Sequence, residues 1–181
     1  IKDLYVYAMT KRMLLIGQQA LNRQFDLNYL TVVPSTVYGP NYNMSGKQLH
    51  FIFDLTRKIL DLKHKNQEVV LWGDGYQRRE LVFIEDFIQE MLELDISVEN
   101  DIVNIGAGED YSIREFAGKI CNIIGIPPAG IQYDTTKYVG AKSKKLDNTK
   151  LDGLLPHKKR TSLEEGLKVT VEFMEKALYL N

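Results

Sequence analysis

Tyr7 and Lys11 stand four residues apart in the run Tyr7-Ala8-Met9-Thr10-Lys11, so on a helix a phenol and an ammonium share one face. That pairing suits a general acid. An unperturbed tyrosine has a pKa of about 10, and a nearby cation favours the phenolate, bringing proton transfer closer to neutral pH. The spacing alone is not selective, because Tyr133/Lys137 and Tyr138/Lys142 repeat it. Those two pairs fall at a strand end and in a Gly-Lys-Ser loop, where residues i and i+4 need not face each other. Only the first lies on a predicted helix, and from spacing alone a solvated surface helix accounts for it better than catalysis does.

Other residue types add chemistry of the same weight. His50 titrates nearest neutrality, although a histidine at a helix start is more often structural or solvent-facing. Arg79 offers a planar fork for phosphate oxygens, while the pair Arg78-Arg79 alone reads as a solvated turn. Trp72, the only tryptophan, could stack on a base, but a core tryptophan at a strand end is commoner. Lys142, Lys144 and Lys145 could hold a phosphate, and by themselves they are a charged loop. Cys121 shares helical spacing with Ile113, Phe116, Ala117, Ile120 and Ile124, which makes it core.

The elements that position these residues follow from periodicity. Residues 5–24 carry Val6, Met9, Met13, Leu14, Ile16, Ala20 and Leu21 at roughly helical spacing. Leu30-Thr31-Val32-Val33, stopped by Pro34, suits a buried strand, and Ser35 to Gly46 reads as a loop. A helix over His50–His64 puts Phe51, Ile52, Leu55, Ile59 and Leu62 on one face. Val69–Trp72 and Leu81–Ile84 read as strands and Gly73-Asp74-Gly75 as a turn; Glu85-Asp86 open a helix to about Leu94, with acids at its positive end. Asp101–Ile105 is a strand ending in Gly106-Ala107-Gly108. Ser112 with Glu115 and Ser162 with Glu165 have capping-box spacing, for helices to Ile124 (before Gly125) and to about Leu178. Ile131–Tyr133 is a short strand, and residues 134–150 form a polar, Lys-rich loop. Strands alternating with helices predict an α/β class with some parallel pairing.

The 181 residues can bury a sizeable core, and 44% hydrophobic with 26% charged residues is ordinary for a globular protein. A net charge of −1 gives no global field toward nucleic acid or an anionic membrane, so neither is expected as a partner. The lone Cys121 allows no internal disulfide and points to a reducing compartment, the cytoplasm. No apolar run approaches the ~18 residues of a membrane span. The opening Ile-Lys-Asp-Leu-Tyr-Val-Tyr has neither an initiator Met nor the cleavage site of a signal peptide, and it reads as starting mid-protein.

The order of motifs carries more than any one of them. The Tyr7/Lys11 helix is followed by a buried strand and then by Pro34-Ser35-Thr36-Val37-Tyr38-Gly39-Pro40. Val70-Leu71-Trp72-Gly73-Asp74-Gly75 leads into Arg79-Glu80-Leu81-Val82-Phe83-Ile84-Glu85-Asp86, and Val103-Asn104-Ile105-Gly106-Ala107-Gly108 into Ser112-Ile113-Arg114-Glu115. This succession resembles the extended short-chain dehydrogenase/reductase family, the NAD-dependent epimerases and dehydratases, over essentially the whole chain. Within it, Trp-Gly-x-Gly-x-x-x-Arg-Glu and Ser-Ile-Arg-Glu look most like the GDP-L-fucose synthase branch. The resemblance implies the C-terminal part of a Rossmann-like parallel sheet plus a smaller mixed α/β substrate-binding lobe. Residues 1–49 would be the remnant of the dinucleotide-binding domain, 50–100 and 110–181 two parts of the substrate lobe, and 101–109 the strand returning to the sheet.

The resemblance also implies roles. Tyr7 matches the proton donor to the sugar oxygen, and Lys11 the residue that holds the cofactor ribose and tunes Tyr7. Pro34, Ser35, Thr36 and Val37 match the strand end beside the nicotinamide. His50 matches an acid used in epimerisation beside a keto group, and a residue at the cofactor. Lys58, Trp72, Arg79 and Lys144 match positions around the substrate nucleotide and its diphosphate. The implied cofactor is NADP(H), with NAD(H) the alternative and no metal. The implied partner is a nucleotide-linked sugar, expected to be GDP-linked, in a homo-oligomer.

Two departures bear on function. The Gly-rich turn that seats a dinucleotide pyrophosphate is absent from these residues; Gly106-Ala107-Gly108 is followed by Glu109 and Asp110, which would repel phosphate. The serine and cysteine that complete the family's catalytic set are expected upstream, so the isolated chain is expected to be inactive. Where the synthases carry Lys-Pro-Asp-Gly this chain has Lys137-Tyr138-Val139-Gly140, which leaves the sugar open between a deoxyheptose and other nucleotide-linked hexoses. The leading expectation is therefore a fragment of an epimerase/reductase of a 4-keto sugar nucleotide. A 4-epimerase or dehydratase with bound NAD, and a non-catalytic sugar-nucleotide-binding or regulatory subunit, are the competing readings.

Overall fold

The structure, a computed structural model, describes residues 2–45 and 49–180. Gly46, where the expected loop ends, lies outside the described residues. In chain order the first elements are α1 (Lys2–Phe25), β1 (Leu30–Pro34), β2 (Thr36–Tyr38), α2 (Phe51–Lys65), β3 (Val69–Trp72), β4 (Arg78–Arg79), β5 (Leu81–Phe83) and α3 (Ile84–Ser97). They are followed by β6 (Asp101–Ile105), β7 (Tyr111–Ser112), α4 (Ile113–Ile124), β8 (Ile131–Asp134), β9 (Ser143–Lys144), α5 (Thr149–Leu154) and α6 (Leu163–Tyr179).

β1 and β6 pair in parallel, from Leu30 opposite Asp101 to Pro34 opposite Ile105, as the order of motifs predicts. β2 and β5 pair in parallel beside them, Thr36 opposite Leu81. Parallel strands need a crossover, and α3 lies in the long connection that carries the chain from β1 to its partner β6. It packs on β1, β2, β5 and β6, and its Leu94 joins Val82, Val98, Val103, Ile105 and Leu151 in a buried cluster. Its apolar face thus serves both parallel pairs, β1–β6 and β2–β5.

The second, larger cluster is built by α2, α4 and α6 with the parallel pair β3–β8. Ile52, Phe53, Ile59, Leu60, Phe116, Ile120, Leu167 and Met174 are fully enclosed there. Each such side chain contributes about 1.5–3 kcal/mol by leaving water. Both predicted capping boxes form: the Ser112 and Ser162 side chains accept from the Glu115 and Glu165 N–H groups, and both glutamates reach back. α4 ends at Gly125 in the left-handed conformation (φ +79°), which costs a glycine no Cβ clash.

Several expectations are corrected. Arg78-Arg79, expected in a turn, is the central strand of a small sheet ordered β7-β4-β9. The loop expected over 134–150 contains β9 and the start of α5, and the loop from Ser35 contains β2. These strands are two or three residues long and are fixed by distant partners, so local pattern does not reveal them. β1 is half-buried rather than buried, because among the described residues only β6 flanks it. α1 is a helix as expected, but Tyr5, Val6, Met13 and Leu14 are all more than half exposed. Among the described residues no helix is long and apolar enough to cross a membrane.

Candidate active site

One cleft of about 1160 Å³ gathers most of the residues singled out from sequence. Tyr7 and Lys11 project into it from α1, with Lys11 Nζ 5.8 Å from the centre of the Tyr7 ring. The i, i+4 spacing thus does what a helix dictates. α1 is fixed against the strand pair at Gln18, whose Oε1 accepts from Thr31 Oγ1 at 2.6 Å, and at Asn22, whose Nδ2 donates to Asn100 Oδ1 at 3.0 Å.

Pro34, Ser35, Thr36 and Val37 form the floor, where β1 passes into β2. The Ser35 N–H donates to Ile105 O at 3.0 Å, which carries the β1–β6 pairing one residue further. Its Oγ is buried and has no hydrogen-bond partner among the described residues. A buried hydroxyl without a partner is costly, so this atom marks a place where a polar ligand group fits.

His50 stands at the N-cap of α2 and lines the same cleft. Its carbonyl accepts from the Phe53 and Asp54 N–H groups at 3.0 and 3.1 Å, and its ring makes no capping hydrogen bond to the helix. Tyr42, which sequence reasoning did not single out, positions it. The Tyr42 hydroxyl accepts from the His50 N–H at 3.3 Å, and its ring meets the imidazole edge-on at 6.3 Å. The same ring stacks on Phe53 at 3.7 Å between centroids. An aromatic residue in a Gly/Pro/Asn loop just before a candidate histidine was the available signal.

The far wall brings Lys144, Lys145, Leu146 and Glu80. Three residues matched to the substrate nucleotide do not line the cleft. Lys58 pairs with Asp54 at 2.9 Å on α2. Trp72 ends β3 with 61% of its surface exposed, at the outset of the Gly73–Gly75 turn, so it is not a core tryptophan. Arg79 directs its guanidinium at backbone carbonyls, those of Ala141 at 2.9 Å, Val139 at 3.3 Å and its own neighbour Arg78 at 2.6 Å. Burial lowers its pKa below the ordinary guanidinium value.

The Gly106–Gly108 turn has its glycine N–H groups engaged within the chain, by residues other than Glu109 and Asp110. The Gly106 N–H donates to Asn148 Oδ1 at 3.0 Å and the Gly108 N–H to Glu80 Oε1 at 2.9 Å. Tyr38, in the same motif as Ser35, is not an alternative acid: burial, and then Asp86, push its phenol well above the ordinary value. Among the described residues no group of three or more His, Cys, Asp or Glu could hold a metal ion.

GDP-L-fucose synthase of Escherichia coli (strain K12) is 31% identical over 166 residues, covering 86% of this chain and 51% of that protein. GDP-L-colitose synthase of Yersinia pseudotuberculosis is 31% identical over 158 residues, 84% of this chain and 50% of that protein. The chain therefore spans about half the length of these curated relatives. Among solved structures, UDP-glucose 4-epimerase of Thermotoga maritima with UDP-glucose superposes with a TM-score of 0.82 at 27% identity, over 95% of this chain and 54% of that one. A GDP-L-fucose synthetase from Naegleria fowleri bound to NADP gives 0.86 at 23% identity, over 96% and 56%, and shares the fold. Residues 1–106, more than half of the sequence, match the NAD dependent epimerase/dehydratase family, and the chain belongs to that family.

Proposed function

We propose that this chain carries the proton-transfer and substrate-binding half of an NADP(H)-dependent nucleotide-sugar epimerase/reductase, acting on a GDP-linked 4-keto deoxy sugar. The observation that carries this reading is the cleft itself. Tyr7 and Lys11 from α1 meet Ser35, His50 and Lys144, from three other parts of the chain, around one cavity. Kinship with GDP-L-fucose and GDP-L-colitose synthases supports the GDP-linked substrate, and the NADP-bound structural relative supports the cofactor.

NADPH, when bound, supplies a hydride to the sugar's carbonyl carbon. Pro34 to Val37, the floor of the cleft, would lie against the nicotinamide, and Lys11 would hold the ribose. Tyr7 donates its phenolic proton to the carbonyl oxygen as negative charge grows there, and the Lys11 ammonium stabilises the phenolate left behind. In the epimerisation half, a base outside these residues would remove the proton from the carbon next to the keto group, and His50 returns a proton to that carbon of the enediolate from the opposite face. Lys144, beside Lys145, faces the diphosphate, and Arg79 contributes by holding the loop that leads to them.

The same reading treats residues 1–49 and 101–109 as belonging to the dinucleotide-binding domain and 50–100 and 110–181 as the substrate lobe. Exposed apolar side chains on α1 support a homo-oligomer, and the lone cysteine supports a cytoplasmic setting. The likeness to a UDP-glucose 4-epimerase supports a second reading, an NAD-dependent 4-epimerase, which would consume no net reductant. Product analysis of the full-length protein in deuterated water separates the two. The epimerase/reductase consumes NADPH and places deuterium on the epimerised carbon, and His50→Gln stops the deuterium uptake while direct reduction persists in part. Wild-type reduction without carbon-bound deuterium would end the epimerase half of the proposal.

A further inference from the structure

Three consecutive residues, Arg78, Arg79 and Glu80, hold the basic segment that walls the cleft. The Arg78 N–H donates to Lys142 O at 2.7 Å, and β4 aligns Arg78 with Ser143 and Arg79 with Lys144. Arg79 adds its bonds to the Val139 and Ala141 carbonyls. The tie made by Glu80 differs in kind. Glu80 is only 2% exposed and lines the cleft, and its carboxylate accepts from the Leu146 N–H at 2.8 Å and the Gly108 N–H at 2.9 Å. Asn148 closes the far side, accepting from the Gly106 N–H at 3.0 Å and donating to Gly106 O at 2.7 Å. The fit is tight: a Cβ at Gly106 would lie 2.5 Å from Glu80 Oε1.

A residue that merely filled this space would be apolar, because burying a carboxylate is costly unless its oxygens are hydrogen-bonded. Glu80 instead joins the end of β6 to the residue that follows Lys144 and Lys145. We propose that Glu80 is a positioning residue of the substrate site: its buried carboxylate sets where Lys144 and Lys145 present their ammonium groups to the diphosphate of a nucleotide sugar. This rests on the nucleotide-sugar reading above. Glutamine at this position has the same size but one acceptor oxygen, so its amide would face one of the two N–H donors and break that tie.

The test is titration of GDP into the chain by NMR, with guanosine as the control that lacks phosphate. Glu80→Gln should weaken GDP roughly tenfold and leave guanosine unchanged. In a Lys144→Ala/Lys145→Ala background, Glu80→Gln should add no further loss, since its effect runs through those lysines. Gly106→Ala presses on the same carboxylate without altering its charge and should reproduce the GDP-specific loss. It carries the comparison should Glu80→Gln fail to fold. Hydrogen exchange at the Leu146 and Gly108 amides should quicken in both variants. Wild-type affinity for GDP in either folded variant, or an equal loss for guanosine, overturns the assignment. Absence of GDP binding to the unaltered chain refutes the nucleotide-sugar reading instead, and exchange at Leu146 then decides whether the carboxylate holds the segment.

Discussion

Replacing Arg160 with methionine leaves the Glu90 carboxylate buried without its cation. The two form a fork, Nε to Oε1 at 2.6 Å and an Nη to Oε2 at 2.8 Å, with side chains 17% and 4% exposed. Beside it, Thr161 donates from its N–H and hydroxyl to Asp86, both at 2.9 Å. Glu90 and Asp86 lie on α3, which packs on the strand pair under Ser35, whereas Arg160 and Thr161 lead into α6 of the second cluster. The pair therefore spans the two bodies that the cleft also spans. Breaking a buried pair from one side costs about 3–5 kcal/mol. At about 2–4 °C per kcal/mol for a chain of this size, Arg160→Met should lower the melting midpoint by about 6–20 °C. Glu90→Leu combined with Arg160→Met removes both charges and should recover most of that loss. Urea titrations of the wild type and the two variants give the numbers. A single-variant cost under about 1 kcal/mol, or a double variant no better than the single, would refute the reasoning.

Further expectations follow from local contacts. Tyr42→Ala removes the stack on Phe53 and the support of His50, and should cost about 2 kcal/mol in urea titrations. Tyr42→Phe keeps the stack and should cost about 1 kcal/mol at most. At the ends of α2 and α6, the hydrogen bond from Lys63 lowers the Glu175 carboxyl below its ordinary 4.5, against burial, and His64 lowers it further. A depressed folded-state value gives stability that is complete above the ordinary value and lost as pH falls through the folded one. The stability gap between wild type and Glu175→Gln should thus narrow between about pH 6 and pH 3; a constant gap would count against the contact.

What was legible in the sequence was local or ordered along the chain. Ser112/Glu115 and Ser162/Glu165 are read correctly because a capping box is closed within four residues. The β1–β6 pair follows from the order of motifs. The Arg79-Glu80 dipeptide shows why the rest was hidden: the resemblance implied an arginine for the diphosphate, and nothing local says that the guanidinium meets loop carbonyls while the glutamate is the buried member. β4 and β9 exist only through each other and β7, across distances no window sees. The exposure of Trp72 likewise depends on what does not cover it, and a tryptophan ending an apolar strand gives no sign of that.

The central claim is that the Tyr7/Lys11 face of α1 supplies the proton for carbonyl reduction. Tyr7 is 63% exposed, so Tyr7→Phe removes a hydroxyl and almost no packing. In the full-length protein, single-turnover oxidation of NADPH by the 4-keto sugar nucleotide isolates the chemical step. The rate should fall by about 10²–10⁴-fold, with nucleotide-sugar affinity unchanged. A loss of only a few-fold would mean that another group donates the proton and would contradict the account.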